Sequence, residues 1–192
     1  MLPKGAKIMA DFNKSMYILM RLEFSHPENA LAYNKTENGY TYMGIYQVAW
    51  PKWIGWMIVN EYLKKNHDIK TASRELYKND TLTRLVYLFY KKNFWDVARL
   101  DDVNSQKIAD EIFIFGVNAG MKEAIKEGQR LVGANNDGFV GEKTLEAWNK
   151  FDEHVFDKQY DLLEQQYYSN IIARHPEKKI YANGWRNMSI VV

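Results

Sequence analysis

The sequence predicts a mainly α-helical protein with a small β-like region near residue 40 and a helical module in its C-terminal half. Three observations carry this. Apolar residues recur at intervals of three and four over most of the 192 residues. The β-like run visible in the first half is Gly39 to Val48, where Tyr40, Tyr42 and Ile45 are bracketed by glycines. Further on, Asn135-Asn136-Asp137-Gly138 is an Asp-Gly turn that joins two helical periods into a small module.

The first helix is predicted from Phe12, Met16, Leu19 and Glu23, spaced four, three and four and therefore on one face. After the β-like run, Trp50, Trp53 and Ile54 share a face if Pro51 opens a helix. Thr71 to Tyr77 reads as a short helix capped by a threonine or serine. Leu82, Leu85, Val86, Phe89 and Tyr90 form the stripe of the next, continuing to Phe94-Trp95. Leu100 to Ser105 is polar and turn-rich, which predicts a boundary between a first lobe over 1–100 and a helical second lobe over 101–192. Within the latter, helices are expected around Ile108 to Val117, from Met121 to Val132, from Glu142 to Trp148, and from Val155 to Ala173.

Composition narrows the function. With 26 basic and 24 acidic residues the net charge is +2, too weak a bias to expect a nucleic-acid partner, yet compatible with an anionic polymer such as a cell wall. Cysteine is absent and the four histidines are scattered, so neither a metal nor another cofactor is expected. The Asn-Asn-Asp-Gly turn lacks the ligand alternation of a calcium loop. No run approaches the roughly 20 apolar residues of a membrane span. The first eleven residues lack an uninterrupted apolar core, which predicts synthesis in the cytoplasm without a signal peptide.

Glu23 stands where core residues point. Burial there raises a carboxyl pKa toward the range of a general acid, unless a cation from elsewhere pairs with it. Arg21, two residues away, points to another face. Glu37 in the following loop and the hydroxyl of Thr41 are candidate partners, and Glu28, after Pro27, is a weaker one. Aromatic residues make up 15% of the chain, so flat rings are available both for the core and for a cleft. Tyr40, Tyr42, Tyr46, Gln47, Trp50 and Trp53 are the candidates to line that cleft with flat apolar faces and a few polar tips, and Asn118 joins the candidate contact set.

Several motifs in order carry a resemblance: Phe115-Gly116-Val117-Asn118-Ala119-Gly120, Gln129-Arg130-Leu131, Asp137-Gly138-Phe139-Val140-Gly141, Thr144-Leu145 and Gly184-Trp185-Arg186-Asn187. Together they resemble the predicted peptidoglycan-binding domain that follows the catalytic half in glycoside hydrolase family 108. Glu23 and Thr41-Tyr42-Met43-Gly44-Ile45 resemble the muramidase half of that family. Two departures stand out: Phe24-Ser25 where the family usually has two glycines, and Met188 after Asn187, with the arginine at Arg186 instead.

The resemblance implies a lysozyme-like helical fold and cleavage of the β-1,4 bond between N-acetylmuramic acid and N-acetylglucosamine. In such hydrolysis an acid protonates the leaving oxygen while a second group positions water or stabilises the transition state. A lytic transglycosylase and a non-catalytic wall-binding module remain open beside the hydrolase. The expected partner is bacterial peptidoglycan, met by a monomer acting on the wall in the periplasm or outside the cell. Bacteriolytic roles such as that of an endolysin fit this expectation, as does wall remodelling during secretion.

Overall fold

The structure, a computed structural model, describes residues 9–23, 26–35, 38–66 and 68–181. The motif at Gly184 to Asn187 and the positions of Phe24 and Ser25 lie outside these. By internal contacts the chain forms two compact units, Met16–Lys91 and Met1–Ser15 with Lys92–Val192.

In the unit formed by residues 16–91, helix α1 (Phe12–Glu23) contributes Met16 and Leu19, both fully buried, as their spacing predicts. A three-stranded antiparallel sheet follows, in the order β1 (Leu31–Asn34), β2 (Gly39–Tyr42), β3 (Ile45–Tyr46). Strand β1 was not legible because only its first residue is buried, so no apolar alternation marks it. Its register pairs Leu31 with Tyr42, Ala32 with Thr41 and Tyr33 with Tyr40. Strands β2 and β3 are joined by Met43 (φ 44°) and Gly44 (φ 78°), two consecutive left-handed residues whose twist matches that of a tight hairpin.

Three helices pack against this sheet and one another. The tryptophan segment does not open a helix at Pro51: residues 51–52 form a turn and α2 runs from Gly55 to Lys65. The Trp53 indole lies over Gly55, the first residue of α2, so closely that a Cβ there would sit 2.3 Å from the ring. Helix α3 (Ile69–Tyr77) is capped by Asp68, which accepts from the Thr71 backbone N–H, rather than by a threonine or serine. Ser73 is instead buried, donating to the Pro27 carbonyl at 2.6 Å and accepting from the Leu31 N–H at 2.9 Å. That hydroxyl ties α3 to the start of the sheet. Helix α4 (Asp80–Tyr90), capped by Asn79, buries Leu82, Val86, Phe89 and Tyr90.

The other unit contains four helices among its described residues. Helix α5 (Gln106–Ala119), capped by Ser105, is buried on nearly every side from Ile108 to Gly116 and forms the centre of this unit. Helix α6 (Met121–Leu131) turns back along it after Gly120, whose φ of 96° is unfavourable for any other residue. Gly116 lets the two approach, since a Cβ there would meet the Met121 sulfur at 2.2 Å. Helices α7 (Glu142–Lys150) and α8 (Glu153–Arg174) complete it, the latter capped by Asp152. Phe12, Trp95 and Phe113 meet edge to face with ring centroids 5.5–5.8 Å apart, the geometry that aromatic quadrupoles favour.

The expected Asp-Gly turn is built around Gln129. This fully buried amide donates to the Asp137 carboxylate (3.1 Å), the Phe139 carbonyl (2.9 Å) and the Thr144 hydroxyl (3.2 Å), and accepts from the Gly138 N–H (2.9 Å). One side chain thus holds the loop and the start of α7 against α6.

Candidate active site

Glu23 is the last residue of α1, on the face that buries Met16 and Leu19. Its side chain, and the whole of Glu37, lie outside the described residues. Beside this helix end a cavity of about 410 Å³ is lined by Met20 and Arg21 of α1, Met43 of the hairpin turn, and Tyr77, Asp80, Thr83 and Tyr87. The polar groups of that lining were not singled out from sequence. Their signal was available, since Asp80, Thr83 and Tyr87 at intervals of three and four form the polar stripe opposite the apolar face of α4.

Thr41 is half-buried in the central strand, paired with Ala32 on one side and Tyr46 on the other. Two residues on, the turn is clamped: the Met43 N–H donates to the Ala30 carbonyl at 2.7 Å, and the Met43 carbonyl accepts from the buried Tyr90 hydroxyl at 2.7 Å. Tyr40 and Gln47 are joined twice, by Gln47 N–H to the Tyr40 carbonyl (2.8 Å) and by Tyr40 N–H to the Gln47 side-chain oxygen (3.3 Å). Tyr40, Thr41, Tyr46 and Gln47 therefore form one connected group on the sheet.

The tryptophans are gathered next to it around Phe89, with Trp50 at 4.9 Å and Trp53 at 6.2 Å between ring centroids. Trp50 keeps 40% of its surface exposed, so a ring face remains open to a ligand. Trp53 is half-buried and stacks on Tyr42 at 6.4 Å. Tyr42 itself is a correction: it is fully buried and offers no surface to a sugar. Its position opposite Leu31 and Ile45 places it in the core beneath the sheet, and burial, with Tyr77 nearby, pushes its hydroxyl pKa up. That hydroxyl has no hydrogen-bond partner.

Two further candidates are placed differently. Glu28 forms an exposed ion pair with Arg74 at 3.5 Å. Asn118 belongs to the other unit, where its amide donates back to the Ile114 carbonyl at 3.1 Å in the last turn of α5. Among the described residues, no group of three His, Asp or Glu side chains is placed to hold a metal ion, and no helix is long and apolar enough to cross a membrane.

Carboxylates of α5 and α8, unremarked in the sequence, carry marked electrostatic perturbations. Glu111 is buried with one carboxylate oxygen unpartnered, and desolvation together with Glu164, Asp161 and Asp157 raises its pKa well above the usual range. Burial, reinforced by Asp161, pushes Glu164 up to about 8. Asp161 rises to about 6 through burial and the Asp157 charge, against the opposing effect of Lys107.

A helix ending in a glutamate, a three-stranded sheet and an otherwise helical body make this a mainly α, lysozyme-like fold. Residues 32–120 match the family model Glycosyl hydrolase 108, and residues 123–190 match Predicted Peptidoglycan domain. The first half thus matches the glycosyl hydrolase 108 family and the second half a predicted peptidoglycan domain, and the two matches together support a glycoside hydrolase that acts on peptidoglycan. Thr41 and the aromatic candidates lie inside the first match, whereas Glu23 precedes it. Among solved structures, SagA of Brucella abortus is similar in fold, with 19% identity and a TM-score of 0.63 over 94% of this chain and 90% of that one. No curated protein matches the sequence.

Proposed function

We propose that the protein is an N-acetylmuramidase that hydrolyses the β-1,4 bond between N-acetylmuramic acid and N-acetylglucosamine, with Glu23 as general acid. The observation that carries this reading is the glycosyl hydrolase 108 match, which begins in the sheet that follows the helix ending in Glu23. The Glu23 carboxyl protonates the glycosidic oxygen as the bond to the muramic anomeric carbon breaks, and water adds to that carbon. The Thr41 hydroxyl orients that water, and the Glu37 carboxylate, in the loop before it, takes up its proton. Tyr40, Tyr46, Gln47, Trp50 and Trp53 hold the glycan, the rings covering apolar sugar faces. The residues from 101 onward bind the wall, and the chain works as a monomer on the wall side of the membrane, in a bacteriolytic role such as that of an endolysin.

The test is release of soluble fragments from purified peptidoglycan by wild type and Glu23→Gln, with mass spectrometry of the products. Fragments with reducing muramic ends from wild type, and none from a folded variant that still binds wall, support the reading. A 1,6-anhydro end replaces it with a lytic transglycosylase. Binding without release by wild type replaces it with a wall-binding module.

A further inference from the structure

A second cavity, of about 240 Å³, lies between α6 and α8. It is two-sided and lined by both charged and apolar groups. Helix α6 presents Glu123, Glu127 and Arg130, which recur at four and three residues and share a face. Helix α8 presents a continuous stripe from Leu163 through Tyr167 and Ile171 to Arg174. The eleven residue steps from Leu163 to Arg174 make this stripe about 16 Å long. Four residues of extended peptide span roughly 13–14 Å.

The charges along the cavity are unequally committed. Arg130 is already paired with Glu127, a carboxylate largely buried between the helices. Arg174, at the other end, is exposed and has no ion-pair or hydrogen-bond partner among the described residues. Glu123 also stands without one, near enough to the half-buried Tyr167 hydroxyl to raise its pKa in concert with burial. The apolar parts of Leu163, Tyr167 and Ile171 floor the cavity, with Glu123 beside Tyr167 and Arg174 at the C-terminal end of the stripe. A guanidinium and a carboxylate over one apolar floor suit an amphoteric oligopeptide better than a neutral sugar, because an exposed arginine fork matches a carboxylate in two hydrogen bonds.

We infer that this groove binds the stem peptide of peptidoglycan, with Arg174 holding a stem carboxylate and Glu123 the free ammonium of a diamino acid. Both walls fall inside residues 123–190, the segment that matches the predicted peptidoglycan domain. The inference rests on peptidoglycan being the substrate and deepens that reading by dividing the labour: glycan at the sheet, peptide at α6 and α8.

Calorimetric titration of the full-length protein with a disaccharide-tetrapeptide fragment, and with the same disaccharide stripped of its peptide, tests it. The fragment carries no bond that a muramidase cuts, so binding is read without turnover. Wild type binds the tetrapeptide fragment at least about tenfold more tightly than the stripped one, and Arg174→Ala loses about tenfold in affinity for the former only. Arg174→Glu, at an exposed position, loses more. Circular dichroism and thermal unfolding of both variants match wild type. Equal affinity of wild type for the two fragments overturns the inference, as does wild-type affinity in Arg174→Glu. If wild type cuts no wall yet binds the tetrapeptide fragment through Arg174, the groove stands and the muramidase reading falls.

Discussion

The Tyr90 hydroxyl, at the end of α4, donates to the Met43 carbonyl in the turn two residues after Thr41. It fastens a non-glycine residue with positive φ, a conformation that costs roughly 1–2 kcal/mol. Tyr90→Phe leaves that carbonyl without its buried donor. The expected loss is about 1–2 kcal/mol in denaturant unfolding, with a fall in wall-cleaving activity larger than the loss of folded protein explains.

The Gln129 side chain makes four hydrogen bonds from a fully buried position. Gln129→Ala leaves the Gly138 N–H and the Thr144 hydroxyl unpaired in the interior, and a destabilisation of about 2–3 kcal/mol is expected by thermal unfolding. Gly138→Ala acts on the same turn by another cause. Its φ is 78°, and a Cβ would lie 2.8 Å from the Lys122 Cγ and 3.2 Å from that residue's carbonyl oxygen, so about 1–2 kcal/mol is expected to be lost.

Trp50 is partly open to solvent and meets Phe89 edge to face. Replacing it by alanine removes a flat face for a sugar but little of the buried core. Steady-state hydrolysis of soluble glycan is expected to show KM raised about three- to tenfold with kcat nearly unchanged.

The unit that contains α5 and α8 is expected to lose stability as pH rises. The folded-state pKa of Glu164 is raised to about 8, while the unfolded chain titrates near the ordinary carboxylate value. Its contribution is therefore fully present below about pH 4 and is lost as pH rises through about 8. Glu111, Asp161 and Asp157 face it with the same sign, and Lys107, bonded to Asp157 at 3.1 Å, is the nearby cation. Glu164→Gln keeps the shape without the charge. Chemical unfolding at pH 5 and pH 8 should show a decline for wild type that the variant reduces by on the order of 3 kcal/mol.

Much of the architecture was legible because helices advertise themselves through local spacing. Phe12, Met16 and Leu19 mark α1, Leu82, Val86 and Phe89 mark α4, and the Asp-Gly turn marks the entry to α7. Where a side chain some residues away decides, the local pattern misleads. Residues 51–52 form a turn and α2 begins only at Gly55, beneath the Trp53 ring, and Asp68 takes the capping role expected of a threonine or serine.

The sequence alone determined the residue types of the site, the order of its motifs and the placement of Glu23 at the end of an apolar helix face, since these depend on neighbours three and four residues apart. Only the tertiary structure decided which aromatic rings face solvent. Tyr40 and Tyr42 are two residues apart on one strand, yet Tyr42 is sealed beneath Trp53 while Tyr40 stays half-buried. It alone also brought Arg174 and Glu123 to one groove and crowded Glu111 against Glu164, because burial and charge proximity arise from helices that meet across tens of residues of intervening chain.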